Sequence, residues 1–169
     1  MVDNFQIDKF CLLHPNLSYC YLGCFASDTF PRILDNTFCI VNSETRSSHG
    51  DHWLLILNRN KKFYIYDSFN RSIKKFFPGI WTRLRTRVAS PPINKQQQQQ
   101  QQQQHQHQQP IEELKTLFVQ SPLTNNCGYF CLYVAHCIFN QPSLLKHKIT
   151  EIEIVQFVST NFGYTPLPQ

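Results

Sequence analysis

The chain predicts an α+β domain, a mixed β-sheet flanked by helices with a nucleophile at the N-terminus of a core helix, and three stretches carry the prediction. His52-Trp-Leu-Leu-Ile-Leu57 and Lys62-Phe-Tyr-Ile-Tyr-Asp67 are short, mostly apolar runs separated by turn residues Asn58 to Asn60, so they read as the two strands of a hairpin. Tyr129 to Phe139 is apolar without a breaker and reads as a buried helix. Just before it, Pro122, Thr124, Asn125 and Asn126 mark a loop, which places Cys127 where loop enters helix.

The other elements follow in order. Phe5 to Leu13 reads as a short helix, and Leu114 to Gln120 as a strand that delivers Gln120 to the Cys127 region. Thr150-Glu-Ile-Glu153 is a capping box opening a terminal helix through Asn161, with Gly163 as its stop. Residues 96–109 are almost pure glutamine with His105 and His107. Such a tract buries too little apolar surface to offset its ordering entropy, so a disordered, self-associating insert is expected between Pro91-Pro92 and Pro110. Its histidines read as passengers of repeat expansion rather than as ligands. The 169 residues otherwise suit one domain with a real core.

Composition narrows the class. No apolar run approaches the roughly 20 residues that span a bilayer, and Met1 to Phe10 lacks the pattern of a secretory signal. Seven cysteines scattered among apolar residues read as reduced thiols of an intracellular compartment. Cys11, Cys20, Cys24, Cys39, Cys131 and Cys137 are assigned to packing. A metal site is not expected: Cys127 and Cys131 share a helix face, but His136 and Cys137 lie more than a turn further on, and no second close ligand pair follows.

Four residues together suit thiol catalysis, which needs a nucleophile, a base, an orienting carboxylate and donors for the oxyanion. Cys127 sits at a helix N-terminus, where the macrodipole favours thiolate and the free N–H groups face a developing oxyanion, while Gly128 leaves room for a substrate backbone. His52, at the start of one hairpin strand, lies beside Asp67, at the end of the next. Asp51 is a competing carboxylate, but an adjacent strand residue projects to the opposite face. His49 is a competing base in a polar loop. Gln120 completes the set, its side-chain N–H joining the Cys127 backbone N–H in an oxyanion hole worth about 2.7 to 4 kcal/mol per donor.

The order His, acidic residue, Gln, Cys resembles the adenovirus-type cysteine protease family, adenain, and more distantly the proteases that process ubiquitin-like modifiers; papain-like enzymes run Cys before His. Tyr21-Leu-Gly-Cys-Phe25 with Phe30-Pro31, Ile40-Val-Asn42, His52-Trp53, Arg85-Thr-Arg-Val-Ala-Ser90-Pro, Val119-Gln-Ser-Pro122 and Asn126-Cys-Gly-Tyr-Phe-Cys131 carry the likeness. The separation of seven between Gln120 and Cys127 is its most specific part. Two features depart from adenain. Asp67 stands where that family carries Glu, as in the modifier-processing branch. No cysteine lies between Cys39 and Cys127, Lys95 aligning where an activating viral peptide is attached by a disulfide, so covalent activation is not expected.

The resemblance implies an adenain-like fold and cleavage after Gly-Gly or Gly-X sequences, with Trp53 bordering a narrow substrate channel. Trp53 reads equally well as a strand-face core aromatic. The residues themselves require no cofactor; DNA and an activating peptide enter by resemblance alone. A net charge of +5 and the alternation of Arg83, Arg85 and Arg87 after Trp81, with Arg71, Lys74 and Lys75, suggest non-specific phosphate contacts, against the simpler reading of a solvated strand face. The resemblance and the insert together suggest a Polinton or Maverick-type transposon, or a related DNA virus, as source. Three function classes stay open: a monomeric endopeptidase of the nucleus or virion that matures capsid or polyprotein substrates at Gly-rich sites, a modifier-removing isopeptidase, and a catalytically inactive DNA-binding interaction protein.

Overall fold

The computed structural model describes residues 2–48, 50–88 and 109–161. His49, Lys95, His105, His107, Gly163 and the Gln/His insert up to Gln108 therefore lie outside the described residues.

Helices α1 (Asn4–Leu13) and α2 (Pro15–Ser18) lead into strands β1 (Tyr21–Phe25), β2 (Thr37–Asn42), β3 (Trp53–Arg59) and β4 (Lys62–Asp67). Helices α3 (Ile73–Phe76) and α4 (Pro78–Val88) precede β5 (Ile111–Leu114), and α5 (Cys127–Asn140), a 3-10 turn (Pro142–Lys146) and α6 (Glu151–Asn161) complete the described chain. The strands form one five-stranded sheet in the order β1-β2-β3-β4-β5. Pairing is antiparallel across β2, β3 and β4, whereas β1 and β5 join parallel at the two edges. The β1 register slips between Tyr21 and Cys24, where Gly23 has φ +125, a conformation that L side chains rarely adopt.

The central strands are buried on both faces, which is why β3 reads as a continuous apolar run. Trp53, Leu55 and Leu57 of β3 pack with Phe130, Val134 and other residues of α5, and with Ile7 and Phe10 of α1. Leu54 and Ile56 face the other way, with Ile73 of α3 and Ile80 and Leu84 of α4. The period of two thus divides one strand between two cores, and the sheet is the middle of three layers.

Three expectations need correction. The hairpin turn is Asn60-Lys61, both at positive φ, while Asn58 pairs with Phe63 inside the ladder; two successive positive-φ residues form the turn whose twist matches a two-residue hairpin. The strand expected over Leu114 to Gln120 lies earlier, at Ile111–Leu114, and Gln120 is held in a loop by its N–H to Ser68 O at 2.9 Å. Arg83, Arg85 and Arg87 belong to helix α4, where a spacing of two sends Arg83 and Arg85 to opposite sides rather than into the row a strand would give. Arg83 turns inward, its guanidinium 5.1 Å from the Phe30 ring.

Candidate active site

Hairpin register brings the first pair together. Leu54 lies opposite Asp67, and His52 precedes β3 by one residue, so imidazole and carboxylate meet at one end of the sheet. His52 Nε2 is 2.6 Å from Asp67 Oδ1, with both side chains buried. Cys127 lies near enough to the imidazole to raise its pKa, and with Nε2 on Asp67, Nδ1 is the nitrogen left for the thiol. Its ring stacks between Phe69, 5.2 Å away at 28°, and Phe77, 6.0 Å away at 11°. Asp51, the competing carboxylate, is exposed.

Asp67 is the most heavily bonded side chain here. Oδ1 accepts from His52, from Phe69 N–H at 3.2 Å and from Arg71 Nη2 at 3.3 Å; Oδ2 accepts from Arg71 Nε at 2.8 Å and Arg71 N–H at 3.1 Å. Burial alone would raise its pKa, but hydrogen bonds from His52 and Arg71 outweigh this and hold the carboxyl well below the usual range. For His52, burial pulls the imidazole down, while hydrogen bonds to Asp67 and Cys127 leave it raised. The pair thus favours an imidazolium beside a carboxylate. Arg71, expected as part of a basic surface, is instead committed to Asp67.

Cys127 opens α5, as a loop running straight into an apolar helix requires. The N-cap residue Asn126 makes no side-chain cap, and its Nδ2 donates to Glu151 Oε1 at 2.8 Å. The first-turn N–H groups thus lack the acceptor an N-cap would offer and stay suited to an anion. Cys127 Sγ accepts from Trp53 N–H at 3.4 Å, and Cys131 Sγ–H donates to Trp53 O at 3.4 Å, tying the start of β3 to two turns of α5.

Gln120 is buried with its amide orientation set on both sides: Oε1 accepts from Ser68 Oγ at 2.7 Å and Nε2 donates to Thr124 O at 2.6 Å. An amide nitrogen has two hydrogens, so one remains for an oxyanion. Ser68 directly follows Asp67, so one short loop steadies both the carboxylate and the Gln120 amide. The segment from Ser121 to Asn126 is clamped from α6, where Glu151 accepts from Ser121 N–H at 3.0 Å, from Asn126 Nδ2 and from Thr124 Oγ1.

Trp53 is buried, its Nε1–H donating to Val2 O at 3.0 Å. A Cβ on Gly128 would lie 3.1 Å from Val2 Cβ and 3.3 Å from Trp53 Cδ1. The room expected at Gly128 for a substrate backbone is thus taken up by the close approach of Val2 and Trp53.

Ser68, Arg71, Phe69, Phe77 and Glu151 were missed as site residues. Ser68, Phe69 and Arg71 lie within four residues of Asp67, but nothing in the sequence shows what their side chains touch. Among the described residues no group of three or more His, Cys, Asp or Glu is placed to hold a metal ion. A cavity of about 230 Å³ lined by Phe30, Ile33, Asn58, Phe63 and Leu84 lies toward the turn end of the hairpin, away from this chemistry.

Residues 35–162 match the Ulp1 protease family, C-terminal catalytic domain. That span runs from just before β2 through α6 and contains His52, Asp67, Gln120 and Cys127. No curated protein matches the chain at a significant level. The family that matches is the one placed second on sequence grounds, and Asp67 in place of Glu agrees with it. Thiol peptidases of this kind need no cofactor. A mixed sheet flanked by helices, a buried His–Asp pair facing a thiol at a helix start, and a match over most of the chain lead to one conclusion: the chain belongs to the Ulp1 protease family and is a cysteine-type peptidase.

Proposed function

We propose that this peptidase cleaves the peptide or isopeptide bond after the Gly-Gly-type terminus of a ubiquitin-like modifier. The observation that carries the reading is the buried His52–Asp67 pair at 2.6 Å with Cys127 close enough to influence the imidazole, in a chain of the Ulp1 family. His52 takes the Cys127 proton, and the thiolate attacks the glycine carbonyl. The oxyanion is met by Cys127 N–H and the remaining Gln120 Nε2–H, donors worth about 2.7 to 4 kcal/mol each. His52 then protonates the leaving amine, and water, deprotonated by His52, releases the acid from the thioester.

A second reading, a viral or transposon endopeptidase acting at Gly-containing sites, is favoured by the separation of seven between Gln120 and Cys127. Two substrates separate them: a full-length modifier carrying a C-terminal aminocoumarin, and a linear peptide with internal Gly-Gly. We expect the modifier to be cleaved far faster and Cys127→Ser to abolish turnover. Preference for the linear peptide would transfer the assignment to the second reading, and turnover that survives Cys127→Ser would overturn both.

A further inference from the structure

We infer that Arg71 is a positioning residue for catalysis: its guanidinium holds the Asp67 carboxylate in the orientation that faces His52 and sets how much of its charge reaches the imidazole. The inference rests on reading His52, Asp67 and Cys127 as the catalytic triad.

Arg71 follows Asp67 by four residues, but in a loop. The loop folds back through Asn70 N–H to Asp67 O at 2.8 Å, with Asn70 at φ 51, and this return brings the Arg71 side chain onto the carboxylate. Nε binds Oδ2 at 2.8 Å, and Nη2 reaches Oδ1, the oxygen that also meets His52, at 3.3 Å. Two donors from one rigid fork, on different oxygens, block rotation of the carboxylate in a way one donor cannot.

Aromatic rings hold the guanidinium in turn. Its carbon lies 4.7 Å from the Phe69 ring centre, 5.0 Å from Phe77 and 5.5 Å from Phe76. Phe69 and Phe77 are also the rings stacked on His52, so base and guanidinium share one aromatic frame. Behind the loop, Lys115 Nζ donates to Asn70 O and Arg71 O, both at 2.9 Å, which fixes the backbone from the β5 side. Planar stacking and the fork are properties a lysine lacks.

The charge argument has a definite sign. Asp67 and Cys127 face His52 directly, and Arg71 acts through Asp67. Lys115, paired with Glu113 at 3.2 Å, lies behind the loop, and Lys75 sits over Phe76. Removing the Arg71 cation leaves more of the Asp67 charge acting on His52, which stabilises the imidazolium. The alkaline limb of the pH–rate profile, where the imidazolium gives up its proton, then moves to higher pH. Loss of the fork separately lowers kcat, because the imidazole is less often aligned with the thiol.

The test compares wild type, Arg71→Gln, Arg71→Lys and Asp67→Asn. It reads kcat and KM against pH on a modifier aminocoumarin, and the pH dependence of Cys127 alkylation by iodoacetamide. Arg71→Gln should lose on the order of tenfold in kcat with KM little changed, and shift the alkaline limb upward. Arg71→Lys should restore the limb but not the rate. If Arg71→Gln does not fold, Arg71→Lys decides alone: wild-type kcat would overturn the inference. Wild-type rate and limb in Arg71→Gln would do the same. An active wild type inactivated by Asp67→Asn but indifferent to Arg71 would sink this inference only, whereas activity that survives Asp67→Asn would remove the triad itself.

Discussion

A carboxylate with five donors around it is more than a partner for a histidine. Asp67 orients His52, closes its own loop through Phe69 and Arg71 N–H, and carries the Arg71 guanidinium. We expect Asp67→Asn to leave the fold intact and reduce turnover by up to about 10⁴-fold, because an amide cannot hold the required tautomer or stabilise the imidazolium. Asp51→Asn, at an exposed position, should change turnover little. If the Asp51 change were the inactivating one, the hairpin register would not be what orients the base. Iodoacetamide should label Cys127 well ahead of the other thiols. Burial raises Cys24 to about 12 and Cys137 to about 11, and pushes Cys11, Cys39 and Cys131 well up, whereas Cys127 has His52 at hand. Equal labelling of several cysteines would remove Cys127 as nucleophile. His52, Asp67 and Cys127 were legible because each sits at an element boundary marked in the sequence. Arg71 was not: Lys74 and Lys75 close by made it look like part of a basic surface, and only the return of the loop shows what it touches.

At the scale of elements, α6 reaches into the site from a distance in sequence. Thr150 and Glu153 form the expected capping box, with Thr150 N–H to Glu153 Oε2 at 2.7 Å and Glu153 N–H to Thr150 Oγ1 at 3.2 Å. Glu151, between them, points elsewhere and grips the segment that joins Gln120 to Cys127. These neighbours should therefore separate experimentally. Thr150→Ala should cost roughly 1 kcal/mol of stability, read by urea unfolding, with little effect on kcat. Glu151→Ala should lower kcat by about tenfold, since a loosened segment misplaces both Gln120 and the α5 N-terminus, a kind of displacement to which rates are steeply sensitive. Equal effects of both variants on kcat would mean that α6 acts only through overall stability. The capping box was readable because its four residues are contiguous. The Glu151 clamp spans 25 to 30 residues and leaves no local pattern.

Across the whole molecule, pH acts on His52 with one sign and on Asp67, His14 and His136 with the other. Asp67, held low in the fold, stabilises fully above its unfolded pKa, about 4, and the contribution is lost as pH falls through the lower folded value. His52, held high, stabilises fully below about 6.5 and loses this as pH rises through its folded value. Both are therefore complete between about pH 4 and 6.5. His14 and His136, packed edge to face at 4.9 Å, are pushed down by burial, and His136 also by its neighbour; their contribution is full above about 6.5 and falls on acidification. The urea midpoint of wild type mixes these effects, but its difference from Asp67→Asn isolates the site. That difference should be largest between about pH 4 and 6.5 and shrink on either side; a difference independent of pH would show that the pair contributes no linkage.

Sequence alone determined the parts whose cause is local: the β3–β4 hairpin from two apolar runs and a polar turn, α5 from an unbroken apolar stretch, the capped start of α6, and the candidacy of His52, Asp67, Gln120 and Cys127. Local energetics left the turn two residues off, because Asn58 suits a turn yet is claimed by pairing on both sides, with Thr37 and with Phe63. They also left α4 open to a strand reading, because alternating arginines do not reveal that Ile80 and Leu84, four apart, face one core. Only the tertiary structure decided that Arg71 belongs to Asp67, Ser68 to Gln120 and Glu151 to the segment before Cys127. Those contacts join segments by loop return and sheet packing, and a buried polar group takes whichever partner the packed chain brings within reach.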